Sequence, residues 1–152
     1  MGLRYFEDFA VGDRFAAGPV EATQEAIIGF AREFDPQAFH VDPAAAAHSL
    51  FGGLAASGWH TAALTMRMII ESDMGIPWGV VGLGVDELRW FKPVRPGDHL
   101  RLESEVVAVR PSGSKPDRGT IRVHSQTLNQ HNVPVMSFVS SLIVPRRPGR
   151  SP

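Results

Sequence analysis

Two side chains able to transfer protons lie close together in the segment Asp35-Pro-Gln-Ala-Phe-His40. On a continuous helix, five steps of about 100° would turn Asp35 and His40 roughly 140° apart. Pro36 breaks the helix, however, and a turn at that point can bring the two side chains together. A carboxylate beside an imidazole can hold and deprotonate a water molecule. The alternative is that Asp35 caps a loop and His40 is a partly buried polar residue.

A second feature that can act on a substrate is the start of an apolar helix expected from about Gly58 to Met74. Amides at a helix N-terminus point outward unpaired and carry the positive end of the helix dipole. A carbonyl oxygen that gains negative charge would be stabilised there, and glycine lets a ligand approach the backbone. The alternative is that the Ser57-Gly58 pair is only a helix cap and a close packing contact.

The chain around these residues predicts an α+β domain. A helix is expected over 24–34, capped by Thr23 and ended by Pro36. Asp42 caps a second, short helix that starts with Pro43. The spacing of apolar residues in the first helix predicts a buried stripe formed by Ile27, Phe30, Ala31 and Phe34.

The helix that starts at Gly58 is apolar on nearly every face from Trp59 to Ile70, which predicts that it is buried, with Trp59, Met66 and Met68 filling the core. A possible first strand ends near Val20. Alternating residues predict four later strands, near 87–92, 100–106, 121–123 and 133–144. A curved antiparallel sheet wrapped around a long central apolar helix satisfies both patterns, and this is the hotdog architecture. We expect a single domain over residues 1–152, with a flexible tail from about residue 146.

The composition of the chain argues against several classes of protein function. Lys and Arg number 15 against 16 Asp and Glu without any block of like charge, which argues against a nucleic-acid partner. The absence of cysteine excludes disulfides, thiolate zinc sites and cysteine nucleophiles. No HxH, HExxH, phosphate-loop or GxSxG pattern is present. The sequence therefore predicts neither a metal site nor a cofactor.

The hydropathy pattern bears on location. No apolar run approaches the roughly 20 residues needed to span a bilayer. Acidic residues interrupt the N-terminal segment within its first eight positions, where a signal peptide would need an apolar stretch. We therefore expect a cytoplasmic soluble protein that does not contact a membrane.

Two motifs, taken with the Asp35 and His40 pair, resemble the MaoC-like, or (R)-specific enoyl-CoA hydratase, family. They are Phe51-Gly-Gly-Leu-Ala-Ala-Ser-Gly-Trp-His60 and Phe91-Lys-Pro-Val-Arg-Pro-Gly-Asp98, and the similarity extends from about Phe6 to Val144. The chain has Gln37 where many members have asparagine, and Ser57-Gly58 where many have His-Gly. These differences bear on the pocket entrance, and so on the substrate, rather than on the paired Asp and His.

The resemblance implies reversible syn hydration of a trans-2-enoyl thioester to a 3-hydroxyacyl thioester, carried by coenzyme A or acyl carrier protein, without a cofactor. Asp35 and His40 would form the catalytic dyad that activates water, and the Gly58 amide would polarise the thioester carbonyl. The acyl chain would run into a pocket beside the central helix. The resemblance leads us to expect these substrate-binding residues: Phe39, Phe51, Gly53, Ser57, Trp59 and His60. The alternative role for the aromatic residues among them is core packing, and for His60 it is capping or core packing.

Two other functions fit the same residues. In a hotdog thioesterase, Asp35 would direct water at the carbonyl carbon. In a non-catalytic acyl-binding module, Asp35 and His40 would only hold a loop. The basic residues Arg89, Lys92 and Arg95 either meet a phosphate of the acyl carrier or form a solvated strand face.

Self-association is a further expectation. The exposed edge of a single curved sheet is removed when a second copy pairs with it. The sequence therefore predicts at least a homodimer, or a higher homo-oligomer.

Overall fold

The computed structural model describes residues 2–149, which form a five-stranded antiparallel sheet, four α-helices and a short 3-10 helix at Phe6–Asp8. The spatial order of the strands is β1-β3-β4-β5-β2, so β1 and β2 are the edges. This arrangement confirms the predicted hotdog fold. The helices are α1 (Gln24–Phe34), α2 (Ala38–Val41), α3 (Pro43–Ala47) and α4 (Gly58–Glu71). The strands are β1 (Arg14–Ala22), β2 (Val81–Trp90), β3 (Asp98–Pro111), β4 (Arg118–Leu128) and β5 (Pro134–Pro145).

The core lies between α4 and the inner face of the sheet. Alternate residues of β3, among them Leu100 and Leu102, are fully buried and share a cluster with Met68 and Ile69 of α4. The helix ends at Glu71 rather than at the predicted Met74. The Ser72 hydroxyl donates to the Ile69 carbonyl at 2.7 Å, which competes with a further helical turn.

The prediction that α4 is buried on nearly every side is wrong. Met68 is fully buried, but Trp59 is 58% exposed, Met66 41% and Ile70 57%. A single sheet covers only one side of the helix, so the apolar residues on the other side do not fill the core.

The first helix follows the sequence prediction closely. Thr23 Oγ1 accepts a hydrogen bond from the Ala26 amide at 3.1 Å, and α1 stops at Phe34, before Pro36. Ile27 and Ala31 are fully buried, but Phe34 is exposed, so that part of the predicted stripe is wrong. The Phe34 ring lies at the surface in the last turn of α1, where it packs on Phe30 with 5.1 Å between ring centroids.

The strand predicted near 87–92 begins earlier, at Val81. Its first half, Val-Gly-Leu-Gly-Val, contains no polar residue and therefore lacks the alternation that marks a half-buried strand. None of the helices in the part of the chain that the structure describes has the length and apolar character needed to cross a membrane.

The first residues of the C-terminal segment contact the N-terminal segment. The Arg147 guanidinium donates to Asp8 Oδ1 at 2.7 Å, and Arg146 lies 3.6 Å from Glu7. The predicted flexibility of the tail from residue 146 stays a prediction, since residues 150–152 lie outside the described residues.

Candidate active site

Asp35 and His40 meet at the break between α1 and α2. The chain leaves α1 at Phe34, passes Pro36 and re-enters helix at Ala38. Asp35 Oδ2 lies 3.3 Å from His40 Nε2, and the two side chains are 19% and 7% exposed. The turn inferred from the sequence therefore does bring the carboxylate and the imidazole together.

The backbone fixes the tautomer of His40. Its Nδ1 lies 2.6 Å from the Ala55 carbonyl oxygen. A carbonyl can only accept, so Nδ1 carries a proton, and in the neutral ring Nε2 carries none. Nε2 and the Asp35 carboxylate then face each other as two acceptors. Their natural common partner is a donor with two hydrogens, which is a water molecule.

The Asp35 carboxylate is held in its ionised form. Burial raises the pKa of Asp35, but hydrogen bonds from Gln37 and Ser57, together with nearby His40, outweigh burial and bring this pKa below its ordinary value. Gln37 Nε2 donates to Asp35 Oδ1 at 2.6 Å. Gln37 therefore orients the carboxylate and leaves Oδ2 for His40.

The N-terminus of α4 supplies an amide donor. The Ser57 carbonyl accepts from the His60 and Thr61 amides, and Ser57 Oγ accepts from the Trp59 amide at 3.2 Å, which confirms the predicted cap. Within residues 2–149, the Gly58 amide makes no hydrogen bond. This is the donor that the first residue of a helix leaves unpaired.

The requirement for glycine at position 58 has a packing cause. A Cβ added to Gly58 would lie 2.6 Å from the Trp90 ring, so no other residue fits without movement of that ring. Trp90 Nε1 also donates to the Gly58 carbonyl at 2.9 Å. The Trp90 ring therefore occupies the side of Gly58 where a side chain would lie.

The groups proposed to carry the chemistry line one cavity of about 460 Å³. Asp35, His40 and Gly58 line it, as do three of the predicted substrate-binding residues, Phe39, Phe51 and Trp59.

Sequence reasoning did not assign the aromatic residues Trp90 and Phe91 to the cavity wall. They lie at and just beyond the end of β2. Phe91 begins the Phe91–Asp98 motif, which was the available signal.

The structure places the other three predicted substrate-binding residues outside this lining. Ser57 is fully buried and hydrogen-bonds Asp35. The Gly53 carbonyl accepts from Arg95 Nη1 at 2.9 Å. His60 is buried and stacks on Phe30, with 4.9 Å between ring centroids.

Arg95 binds the protein's own backbone. Its Nη1 donates to the Gly53 and Leu54 carbonyls, and its Nη2 donates to the Phe51 carbonyl. The loop that it holds leads directly to Ala55, whose carbonyl binds His40. Of the basic residues considered from the sequence, Arg95 is thus engaged in positioning this loop, and Lys92 is the one that lines the cavity.

Known proteins are similar to this chain in sequence and in fold. Residues 8–128 match the family model described as MaoC like domain. The chain is 31% identical over 140 residues to the uncharacterized protein YdeM of Bacillus subtilis, covering 92% of this chain and 98% of that protein. It is 30% identical to the mesaconyl-CoA hydratase of Cereibacter sphaeroides across 98% of this chain, but it spans only 43% of that protein's length.

A solved structure extends the agreement to three dimensions. The MaoC-like dehydratase from Rhodospirillum rubrum superposes with a TM-score of 0.91 and 50% sequence identity, covering 95% of this chain and 99% of that one. The resemblance noted in the two sequence motifs is thereby confirmed along most of the chain. This chain belongs to the MaoC-like domain family.

Proposed function

We propose that this protein is a hydro-lyase that reversibly adds water to a trans-2-enoyl thioester and forms a 3-hydroxyacyl thioester. The observation that carries the proposal is the pairing of two acceptors, Asp35 and His40 Nε2, in the cavity that the unpaired Gly58 amide also lines. The pair can hold a water molecule, and the amide can hold the carbonyl oxygen of a thioester.

The reaction follows from these groups. The Gly58 amide and the dipole of α4 stabilise the negative charge that develops on the thioester oxygen. Water bound by Asp35 and His40 adds its oxygen to C3, one of its protons passes to the dyad, and the C2–C3 π electrons move toward the carbonyl to give an enolate. When the enolate collapses, C2 takes a proton from the dyad. The net change is one water molecule added, with no oxidation or reduction.

The relatives support an acyl thioester substrate. One is named a mesaconyl-CoA hydratase and another a MaoC-like dehydratase, which are the two directions of a hydro-lyase reaction. Coenzyme A and acyl carrier protein both present the thioester on a phosphate-bearing arm, and the exposed Lys92 at the cavity offers a cation for either.

We also propose that the working protein is at least a homodimer that pairs through β2. This strand is hydrogen-bonded on one side only, to β5, and its Val81, Leu83 and Val85 are 42%, 62% and 56% exposed. A long apolar edge strand favours association, and a second copy would cover it. Sedimentation equilibrium should give at least twice the chain mass of 16.6 kDa, and a monomer mass would contradict the proposal.

The hydratase proposal is tested by the ultraviolet absorbance of the enoyl thioester, using crotonyl-CoA and longer trans-2-enoyl-CoAs. The wild-type protein should remove the absorbance without releasing free thiol. Asp35→Asn and His40→Ala should each slow this by on the order of 10² to 10⁴. Thiol release at the same rate would instead indicate a thioesterase. Binding without turnover of coenzyme A or acyl-carrier-protein thioesters would indicate an acyl-binding module.

A further inference from the structure

We propose that Trp59, held in place by Trp90, forms a partition between the catalytic cavity and a second, apolar cavity, and that this partition restricts the protein to short acyl chains. The inference rests on the proposed hydratase function, because it names the size of the acyl group that this site accepts.

The second cavity has a volume of about 650 Å³ and lies between α4 and strands β2, β4 and β5. One stripe of α4 lines it, formed by Trp59, Ala62, Met66 and Ile69. These residues follow helical spacing and therefore lie on the same side of the helix. Trp59, at the N-terminal end of the stripe, lines both cavities.

Trp90 holds the partition in place. Its ring lies against Gly58, where no side chain intervenes, and its Nε1 donates to the Gly58 carbonyl. The Trp59 ring meets the Trp90 ring edge to face, with 5.1 Å between centroids and 82° between planes. This is a favoured arrangement for two aromatic rings. The movable ring is therefore Trp59, since Trp90 is tied to the backbone.

The position of the partition decides which acyl chains fit. A thioester whose carbonyl oxygen binds the Gly58 amide has its C2 and C3 beside Asp35 and His40. The acyl chain beyond C3 must pass the next residue, Trp59, to reach the apolar cavity. A four-carbon enoyl group does not extend that far. A ten-carbon chain would have to displace the Trp59 ring, or it would stay in water and gain nothing from the apolar cavity.

The test compares kcat/KM for crotonyl-CoA and trans-2-decenoyl-CoA. Trp59→Ala should raise the decenoyl to crotonyl ratio at least tenfold, since each methylene that gains a buried site favours the longer chain about fourfold. Trp59→Leu should raise it as well and serves if the alanine variant does not fold. The matched control is Trp78→Ala. Trp78 is also partly exposed but lies beside the Arg118 guanidinium, outside both cavity linings, so this variant should keep the wild-type ratio.

The partition is refuted if the wild-type protein hydrates both substrates equally well. It is also refuted if the ratio stays unchanged in the Trp59 variants while they hydrate crotonyl-CoA. Failure of every protein to hydrate either acyl group, on coenzyme A and on acyl carrier protein alike, would reject the proposed function. Calorimetric binding of butyryl-CoA and decanoyl-CoA then still decides the partition. The Trp59→Ala variant should bind decanoyl-CoA at least tenfold more tightly than the wild-type protein does, and equal affinities would overturn it.

Discussion

The carbonyl oxygen of Ala55 lies 2.6 Å from Nδ1 of His40, and this contact determines which ring nitrogen faces Asp35. Ala55 belongs to the loop before α4, and Arg95 holds that loop by binding the carbonyls of three residues that precede Ala55. The tautomer of His40 therefore depends on an arginine that does not itself line the cavity.

Arg95→Met should lower activity without removing a catalytic group. Loss of the three carbonyl contacts frees the loop, and a shift of the Ala55 carbonyl by about 1 Å could cost on the order of 10²-fold in kcat. Arg110→Met, at an exposed position of β3, is the control and should leave kcat unchanged. An unchanged kcat in Arg95→Met would show that the loop keeps its place without the guanidinium.

Gln37→Leu should destabilise the ionised form of the Asp35 carboxylate. It removes the 2.6 Å hydrogen bond to Oδ1, and a hydrogen bond to a charged group is worth about 1.5–3 kcal/mol. The pKa of Asp35 lies below its ordinary value in the folded protein, so its ionised form favours folding above pH 3.8, and this contribution is lost as the pH falls through the lowered pKa. In Gln37→Leu the pKa of Asp35 should rise.

The readouts for Gln37→Leu are the acid limb of kcat/KM against pH and the urea midpoint below pH 5. The acid limb of kcat/KM should move to higher pH. As the pH is lowered, the urea midpoint should begin to decrease at a higher pH than it does in the wild-type protein. Gln37→Asn keeps an amide donor on a shorter side chain, so its acid limb and its urea midpoint should lie between those of Gln37→Leu and those of the wild-type protein. An acid limb that does not move would assign the orientation of Asp35 to Ser57 alone.

The buried His60 should make stability depend on pH. Burial lowers the pKa of His60 below its ordinary 6.5, and its Nδ1 has no hydrogen-bond partner among residues 2–149. Below pH 6.5 the unfolded chain binds a proton that the folded chain resists, so the free energy of unfolding should fall by up to about 1.4 kcal/mol per pH unit. Above pH 6.5 this dependence disappears.

Urea unfolding at pH 7.5 and pH 5.5 measures the His60 effect. His60→Phe keeps the stacking on Phe30 but does not titrate, so it should show a smaller loss between the two pH values. His99→Gln, at an exposed position, should lose as much as the wild-type protein. An equal loss in His60→Phe would place the pH dependence in another group.

The parts of the site that the sequence predicted depend on local signals. Pro36 ends α1 and so brings Asp35 to His40, and Ser57 caps α4 and so leaves the Gly58 amide free. The parts that were missed depend on contacts between distant residues. Trp90 packs on Gly58 from 32 positions along the chain, and Arg95 reaches carbonyls 41 to 44 positions before it. No local periodicity marks such contacts, which arise only when β2 and the loop after it pack beside α4.

A buried pair of hydroxyls that joins α4 to the sheet gives the last prediction. Thr65 Oγ1 donates to the Thr61 carbonyl at 2.8 Å and lies 2.5 Å from Thr127 Oγ1 of β4. Because the Thr65 proton is used within α4, Thr127 is the donor across the interface. Thr65→Val would leave the buried Thr127 hydroxyl without an acceptor, at a cost of about 1–3 kcal/mol in the free energy of unfolding. Thr127→Val leaves the bond from Thr65 to Thr61 intact and should cost less.

The Thr65→Val, Thr127→Val double variant should be less destabilised than the sum of the two single variants, since no buried hydroxyl is then left unpaired. Chemical denaturation of the four proteins measures the coupling. Additive costs would show that the two hydroxyls are not coupled, and a larger cost for Thr127→Val than for Thr65→Val would reverse the assigned direction of the hydrogen bond. Because Thr65 lies on the helix whose first amide is the proposed carbonyl donor, crotonyl-CoA hydration by the double variant then shows whether this link also fixes the position of α4 in the site.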